Sequence, residues 1–284
     1  MRWEGRRQSS NVEDRRGLPM GGIAGGGLLV LAVIAWALFT GQDPSSLLQQ
    51  LPQAPSSEEA GQAVDPAQEP LREFVGVVLA DTEDVWGELF PSSFSRPYES
   101  PRLVLFTGGV DSACGLASSA AGPFYCPSDR KAYLDLDFFS QLASELNAPG
   151  DFAMAYVIAH EIGHHVQNLV GVSDEVERAG HFGQEQGQES SVRLELQADY
   201  LAGVWAHHAQ RTLGTLESGD VEEALAAANA IGDDTLQKRS QGYVVPDSFT
   251  HGTSQQRLRW FQRGLQTGDV AGMRELFELP YEKL

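Results

Sequence analysis

The sequence predicts an α+β protein in which a single N-terminal transmembrane helix precedes a mainly helical domain with a small antiparallel sheet. Three observations support this fold class. Residues 17–42 carry no charge, and a bilayer span needs about 20 mostly apolar residues. Stretches typical of β-strands are confined to residues 102–107, 123–126 and 132–136. After Asp151 the pattern is mainly helical, with Gly, Asp and Pro separating the helices.

Charge is distributed asymmetrically around the apolar stretch. Five arginines precede it and Asp43 follows it, so the positive-inside rule places the N-terminus in the cytoplasm and everything after Thr40 outside. A cleaved signal peptide is the alternative. The apolar run is long for one, however, and the Ala-x-Ala sequence at 35–37 lies inside the run rather than after it. An uncleaved, single-pass anchor in the cytoplasmic membrane is therefore predicted.

Four segments follow from this topology. Residues 41–69 are rich in Gln, Ser, Pro, Ala and Glu without a hydrophobic period, which is typical of a flexible linker. The predicted order is a cytoplasmic tail at 1–20, a transmembrane helix at 21–40, this linker at 41–69 and an extracytoplasmic domain at 70–284.

Composition excludes one class of partner and indicates a compartment. The formal net charge is −19, and binding to nucleic acid requires clustered Lys and Arg, so nucleic acid is not an expected partner. Cys114 and Cys126 lie twelve positions apart and form no CxxC pair. We favour a disulfide between them, which requires an oxidising compartment, over two unrelated free thiols.

A predicted helix from Asp151 to Gly171 contains the motif HExxH. His160 and His164 stand at i and i+4, so both imidazoles leave the same helix face and can reach one metal ion. Glu161 is placed to address a metal-bound water. The alternative is a solvated helix face with two histidines, which the apolar surroundings of the motif disfavour.

A second helical pattern, residues 190–210, supplies further candidates. Catalytic zinc takes three protein ligands and keeps an open fourth position. Glu195 and Asp199 are again at i and i+4 in an otherwise apolar stretch. Glu195 can be the third ligand, and Asp199 can accept the other ring N–H of a liganding histidine. The alternative is an exposed helix face on which both acids serve solubility.

His251 stands on a predicted loop before a helix that begins near Thr253 or Ser254. A side chain there can point into a cleft, and peptide hydrolysis requires a donor for the oxyanion of the tetrahedral intermediate. His251 is the candidate donor. A structural hydrogen bond of a loop histidine remains an equal alternative at this stage.

These residues resemble the bacterial neutral zinc metallopeptidase family, whose members are membrane proteins. The resemblance rests on the opening MRWEGRRQSSNVEDRR, GPFYCP at 122–127, HEIGHH at 160–165, RLELQADYLAGVW at 193–205 and QGYVVPDSFTHGTSQQR at 241–257. Relatives often carry a Cys directly after the ELQAD motif and another near the C-terminus. This chain has Tyr200 and no late Cys, so that second disulfide is not expected.

The order of HExxH, ExxxD and loop histidine is also similar to that of the gluzincin peptidases. The similarity implies a zincin-like domain and a bound Zn²⁺ ion. It implies substrate binding as an added strand beside the zinc, for which residues 133–136 are candidates. It assigns His160, His164 and Glu195 as ligands, Glu161 as general base, Asp199 as support and His251 as oxyanion donor.

The sequence therefore predicts a membrane-anchored zinc-dependent peptidase that hydrolyses peptide bonds of peptide or protein substrates outside the cytoplasmic membrane. The alternative is a zinc-stabilised, non-enzymatic scaffold or adaptor. Such a closed site would supply a fourth protein ligand; no residue has matching spacing, and Glu161 is intact. Hydrolysis of a non-peptide amide is a further alternative. The sequence specifies neither the natural substrate nor the oligomeric state.

Overall fold

A computed structural model describes residues 1–18, 64–119, 122–180 and 184–284 of the chain. These residues form six strands and nine α-helices. The strands are β1 (Val12–Asp14), β2 (Arg102–Phe106), β3 (Gly109–Ser112), β4 (Gly115–Ser118), β5 (Phe124–Cys126) and β6 (Lys131–Asp135). The helices are α1 (Glu69–Phe94), α2 (Asp137–Ser144), α3 (Asp151–Val170), α4 (Val172–Gly180), α5 (Gln184–Leu213), α6 (Asp220–Ala230), α7 (Asp233–Gln241), α8 (Ser254–Thr267) and α9 (Glu275–Glu278).

The main sheet is mixed, and the prediction of an antiparallel sheet was wrong in this respect. Its strand order is β1-β2-β6-β5. β1 and β6 both run parallel to β2, and only β5 runs antiparallel to its neighbour β6. The chain between β2 and β6 returns to the end of the sheet at which β2 begins, so β6 pairs in the parallel sense. The mainly helical character of the fold is confirmed.

A hairpin of β3 and β4 projects beside this sheet and is tied to it covalently. Cys114 lies in the hairpin turn, and Cys126 is the last residue of β5. The two form a disulfide with a Cα–Cα distance of 5.8 Å, which confirms the predicted pairing. The disulfide therefore fixes the hairpin against the end of β5.

Helix α3 is the centre of the helical body, and most of its side chains are buried. It ends at Gly171, whose φ of 85° lies in the left-handed region that favours glycine. Gly163 allows close contact with α5, because a Cβ there would lie 2.9 Å from the carbonyl oxygen of Ala198. Gly203 on α5 allows close contact with α8, where a Cβ would meet the backbone of Phe261.

The N-terminal segment, residues 1–18, is part of this folded body. Its strand β1 pairs with β2, with Val12 opposite Leu103. The Arg6 guanidinium lies 2.6 Å from the Asp81 carboxylate of α1. The buried Arg16 guanidinium lies 2.8 Å from the carboxylate of Glu69, at the start of α1.

This packing disagrees with the predicted cytoplasmic tail at 1–20. That topology places a membrane between the tail and the domain, whereas a hydrocarbon core about 30 Å thick cannot separate groups in direct contact. The local charge pattern does not reveal that these arginines pair with distant acids of the same domain. Residues 21–40 and most of the predicted linker lie outside the described residues, and its described end contains a 3₁₀ turn at Pro66–Gln68. No helix among the described residues is sufficiently long and apolar to span a bilayer.

Candidate metal centre

Where α3 crosses α5, three groups suited to bind a metal ion converge. One ring nitrogen each of His160 and His164 and one carboxylate oxygen of Glu195 lie within 4.8 Å of one another. Nε2 of His160 is 3.2 Å from Oε2 of Glu195, and Nε2 of His164 is 3.5 Å from Oε1. Among the described residues, this group contains no fourth His, Cys, Asp or Glu.

These separations fit zinc. Zinc binds imidazole nitrogen and carboxylate oxygen at about 2.0–2.2 Å, so neighbouring ligand atoms of a tetrahedron lie roughly 3.3 Å apart. The observed nitrogen–oxygen separations of 3.2 and 3.5 Å bracket that value. Three protein ligands also leave a fourth position for water or substrate, as in catalytic zinc sites.

Asp199 orients the first histidine. Its Oδ1 lies 2.8 Å from Nδ1 of His160, which leaves Nε2 directed at Glu195. The same carboxylate accepts hydrogen bonds from the Tyr156 hydroxyl at 2.5 Å and from Nε of Arg257 at 2.8 Å. Burial opposes ionisation of Asp199, but the charge of Arg257 and the hydrogen bond from His160 hold its pKa below the usual value. A buried, ionised carboxylate of this kind fixes the ring orientation of a metal ligand.

Arg257 was missed as a site residue, although it belongs to the motif that carries His251. Its side chain is fully buried and makes two hydrogen bonds to Asp199, from Nε at 2.8 Å and from Nη2 at 3.0 Å. Its Nη1 donates to the carbonyl oxygen of Ile231 at 3.2 Å. The guanidinium therefore connects α8, α5 and the chain after α6 directly behind His160. Two helices, α6 and α7, separate Arg257 from Asp199 along the chain. The local sequence around Asp199 therefore gives no sign that Arg257 is its partner.

Gln167 has the corresponding role for the second histidine and was also missed. Its Oε1 lies 2.8 Å from Nδ1 of His164. Its Nε2 donates to the carbonyl oxygen of Leu194 at 2.6 Å and to Oε1 of Gln197 at 3.0 Å. Both amide hydrogens are thereby used, so the oxygen faces His164 and leaves Nε2 of that ring directed at Glu195. Its position three residues after His164 on one helix was the available signal.

Glu161 lies beside the ligands but outside the group of three. It is 8% exposed, and burial raises the pKa of its carboxyl against the opposing effect of His164 and His160. A raised carboxyl pKa is suited to accepting and returning a proton near neutral pH.

His251 lies on the loop before α8, which begins with Thr253 as N-cap. Its Nδ1 is 3.0 Å from Oδ1 of Asp233, and its backbone N–H donates to Oδ2 of the same residue at 2.6 Å. This hydrogen bond to Asp233 raises the pKa of the His251 imidazole. The ring lines the same cavity as Glu161, and it does not belong to the group of metal-ligating atoms found in the described residues.

A cavity of about 750 Å³ opens over these groups. The metal centre occupies part of its wall, and Phe124 and Tyr125 of β5 form another part. β6 is paired on both sides, and the edge strands of the sheet are β1 and β5, of which β5 lines the cavity. Residues 133–136, expected to receive substrate, are therefore the wrong strand. The remaining wall is mainly apolar near α2 and α7 and acidic along α4, through Phe138, Leu146, Ile231, Leu236, Asp174 and Glu177.

His165, next to the second ligand, faces away from the metal centre and towards the sheet. Its Nε2 is 2.6 Å from the carbonyl oxygen of Glu99, and its Nδ1 is 3.0 Å from the Tyr125 hydroxyl. Burial lowers the pKa of its imidazole to about 4, so the ring is neutral near pH 7. His165 therefore connects α3 to the sheet and to the chain before β2.

Comparison with known proteins decides the family. The chain matches the family described as "Putative neutral zinc metallopeptidase" over residues 1–275. It belongs to this family. An Escherichia coli K12 relative, "Uncharacterized protein YpfJ", is 48% identical over 282 residues, which covers 95% of this chain and 97% of the relative. The Mycobacterium tuberculosis H37Rv relative "Uncharacterized protein Rv2575" is 41% identical over 251 residues, with 82% of each chain covered. No solved structure matches the chain.

The family assignment confirms the resemblance noted from the motifs, and a zinc metallopeptidase family implies zinc as the metal. The match begins at residue 1, so it includes the N-terminal segment that packs on α1 and β2.

Proposed function

We propose that this protein is a zinc-dependent peptidase that hydrolyses peptide bonds. The convergence of His160, His164 and Glu195 beside the buried Glu161 carries the proposal. A structural zinc site would be closed by a fourth protein ligand, and the group in the described residues has three. That count favours an enzyme over a zinc-stabilised scaffold.

The residues of the site divide the chemistry among them. Zinc held by His160, His164 and Glu195 would supply a Lewis acid and lower the pKa of a water at its open position. Glu161 accepts the proton of the attacking water and delivers a proton to the leaving amine. Asp199 keeps the ring of His160 oriented throughout.

His251 stabilises the negative charge that develops on the carbonyl oxygen. Its Nδ1 faces Asp233, so donation from Nε2 requires the doubly protonated ring. Asp233 favours that form, because its hydrogen bond raises the pKa of His251. The pair therefore supplies a cationic donor at the wall of the cavity.

Peptide substrate binds along the free edge of β5. Main-chain hydrogen bonds to an exposed strand give affinity without demanding one sequence, and side-chain pockets add selectivity. Phe124 and Tyr125 of this strand line the cavity that holds the metal centre. A peptide paired with β5 therefore runs past Glu161.

The proposed location is outside the cytoplasmic membrane, with attachment through the apolar stretch within residues 17–42. Its support is the Cys114–Cys126 disulfide, which requires an oxidising compartment, together with the uncharged, mostly apolar composition of that stretch. Because residues 1–18 contact the domain, we propose the same side of the membrane for both.

Purified, zinc-loaded protein tests the proposal. A mixture of peptides should be cleaved by wild type and by Glu175→Gln, an exposed acid on α4. Glu161→Gln should keep zinc and lose nearly all hydrolysis, because an amide cannot accept the proton. Glu195→Ala should lose zinc as well as activity.

Wild-type rates in Glu161→Gln would disprove the assigned base. Zinc retention by wild type without cleavage of any peptide would support the scaffold instead.

A further inference from the structure

The turn of α3 that follows the metal-binding histidines is attached to β5 through side chains. The Tyr125 hydroxyl of β5 lies 3.0 Å from Nδ1 of His165 and 2.9 Å from Nδ2 of Asn168. Nδ2 of Asn168 also reaches the carbonyl oxygen of Pro127 at 3.3 Å, directly after the strand. His165 and Asn168 of α3 therefore contact Tyr125 and Pro127 at the end of β5.

The direction of these hydrogen bonds is fixed by their end points. The carbonyl oxygen of Glu99 can only accept, so Nε2 of His165 carries the proton. Nδ1 of the neutral ring then accepts from the Tyr125 hydroxyl, whose oxygen accepts in turn from the amide of Asn168. With these roles, each group in the chain of hydrogen bonds has a partner.

Elsewhere β5 is held by the sheet and the hairpin, through the stacking of Phe124 on Tyr133 and the burial of Cys126. It is three residues long and pairs with β6 along one edge only, with Phe124 opposite Tyr133. The disulfide at Cys126 ties it to the β3–β4 hairpin and not to the helical body. The contacts to His165 and Asn168 therefore connect the strand to the helix that carries His160 and His164.

We propose that Tyr125, His165 and Asn168 form a latch that sets the position of β5 relative to the metal helix and thereby positions extended peptide substrates. The proposal rests on the proposed function, in which substrate pairs with β5. A reacting carbonyl must lie about 3–3.5 Å from its attacking group, and a displacement of 1 Å caused by a remote change can cost about 100-fold in rate. The three are positioning residues, because they act through the strand.

The latch predicts an effect that depends on substrate length. A peptide of eight or more residues pairs along β5, whereas a blocked dipeptide has too few main-chain groups to do so. In Tyr125→Phe, which keeps the ring and removes the hydroxyl, we expect kcat/KM for the long peptide to fall on the order of tenfold, mainly through kcat, because the peptide still pairs with β5 but its carbonyl is misplaced. The blocked dipeptide should be cleaved at the wild-type rate, and zinc content should not change.

Two further variants make this test specific. Asn168→Ala removes the second contact at a half-buried position and should reproduce the length-dependent loss, even if Tyr125→Phe folds poorly. Tyr133→Phe is the matched control. Tyr133 lies in the neighbouring strand β6, and the variant removes a hydroxyl that donates to Asp129 at 2.6 Å. The ratio of kcat/KM for the long peptide to kcat/KM for the blocked dipeptide should stay unchanged.

Three results would overturn the latch. Wild-type kcat/KM for the long peptide in both Tyr125→Phe and Asn168→Ala would show that the contacts do not position substrate. An equal loss on both substrates would show a general structural role only. If wild type cleaves neither substrate, the proposed function itself fails and the latch fails with it.

Discussion

Charged side chains organise both the metal centre and the interface of the N-terminal segment, but in different surroundings. Asp199 and Arg257 are fully buried and have several partners each. In the N-terminal interface, Arg7 pairs with Asp84 at 2.6 Å while both side chains are about half exposed. Removing one member of a buried network leaves another charge uncompensated, whereas exposed pairs contribute about 0–1 kcal/mol each. The metal centre should therefore respond sharply to single substitutions, and the exposed ion pairs of the interface weakly.

Arg257→Ala should have the largest effect on stability. It leaves the buried Asp199 carboxylate without its cation, and breaking such a pair costs about 3–5 kcal/mol of unfolding free energy. Urea unfolding of the zinc-loaded protein measures this loss. Arg259→Ala, on the same helix, is the control, since its guanidinium donates to main-chain oxygens of Lys283 and Leu284 and lies over the Trp260 ring, without contacting a buried carboxylate among the described residues. Equal losses in the two variants would remove the contrast between buried and exposed charges.

His251→Ala should lower turnover by about 10²–10³-fold, the usual cost of removing an oxyanion donor. Zinc content should be unchanged, because His251 lies outside the group of ligating atoms found in the described residues. Measurement of kcat together with bound zinc tests this. Loss of zinc in this variant would instead identify His251 as a ligand.

Asp233 gives the same site a pH dependence. Its hydrogen bond raises the pKa of His251, and only the protonated ring donates from Nε2, so kcat should fall as pH rises through that raised pKa. Asp233→Asn removes the charge that favours the imidazolium and should move this fall to lower pH. A kcat–pH profile that is identical in wild type and Asp233→Asn would refute the cationic donor.

Local spacing explains why the convergence of the side chains at the metal centre could be predicted. His160, His164, Glu195 and Asp199 occupy i and i+4 positions on two helices, and a helix converts that spacing directly into one face. Gln167, Arg257 and Asp233 escaped prediction because their importance depends on which helices meet. The strands at 102–107, 123–126 and 132–136 were placed closely, but their order in the sheet was not, since pairing depends on distant parts of the chain.

The N-terminal segment shows the opposite case. Its arginines next to an apolar stretch match the positive-inside pattern. Distant partners, such as Asp81 for Arg6, which lies 75 residues further along, give no local signal. The segment also contains β1, whose three residues Val12–Asp14 are too short for a periodic pattern. Arginines beside an apolar stretch therefore fit two different structures, and composition alone does not separate them.

Within the interface, the burial of each arginine should determine how much unfolding free energy its substitution costs. Arg16 is only 1% exposed in its side chain and contacts both Asp14 and Glu69, so Arg16→Ala should cost about 1.5–3 kcal/mol. Arg7→Ala, with a half-exposed side chain, should cost less than about 1 kcal/mol. Urea unfolding of both variants measures the difference. The reverse order would show that exposure does not determine the contribution of these ion pairs.

The smallest effect on the protein, and the sharpest test of the interface, comes from a designed cross-link. A Cβ at Gly76 of α1 would lie 3.2 Å from Cβ of Gln8, a few tenths of an ångström short of the range seen in disulfides. The double variant Gln8→Cys, Gly76→Cys should form an internal disulfide in intact cells under a membrane-permeant oxidant, with peptidase activity unchanged. Mass spectrometry of linked peptides detects it.

The control pair is Gln8→Cys with Gly87→Cys, because Gly87 lies three turns further along α1, about 16 Å away, and faces open space. Cross-linking of the first pair and not the second requires residues 1–18 and α1 to share a compartment, since a disulfide cannot form across a bilayer. If the 8–76 cross-link does not form in cells where the Cys114–Cys126 disulfide is intact, residues 1–18 do not pack on the domain there. The tail would then be separated from the domain, as its charge pattern predicts. The ion pairs between residues 1–18 and α1 would not exist, so they could not be compared with the buried charges of the metal centre.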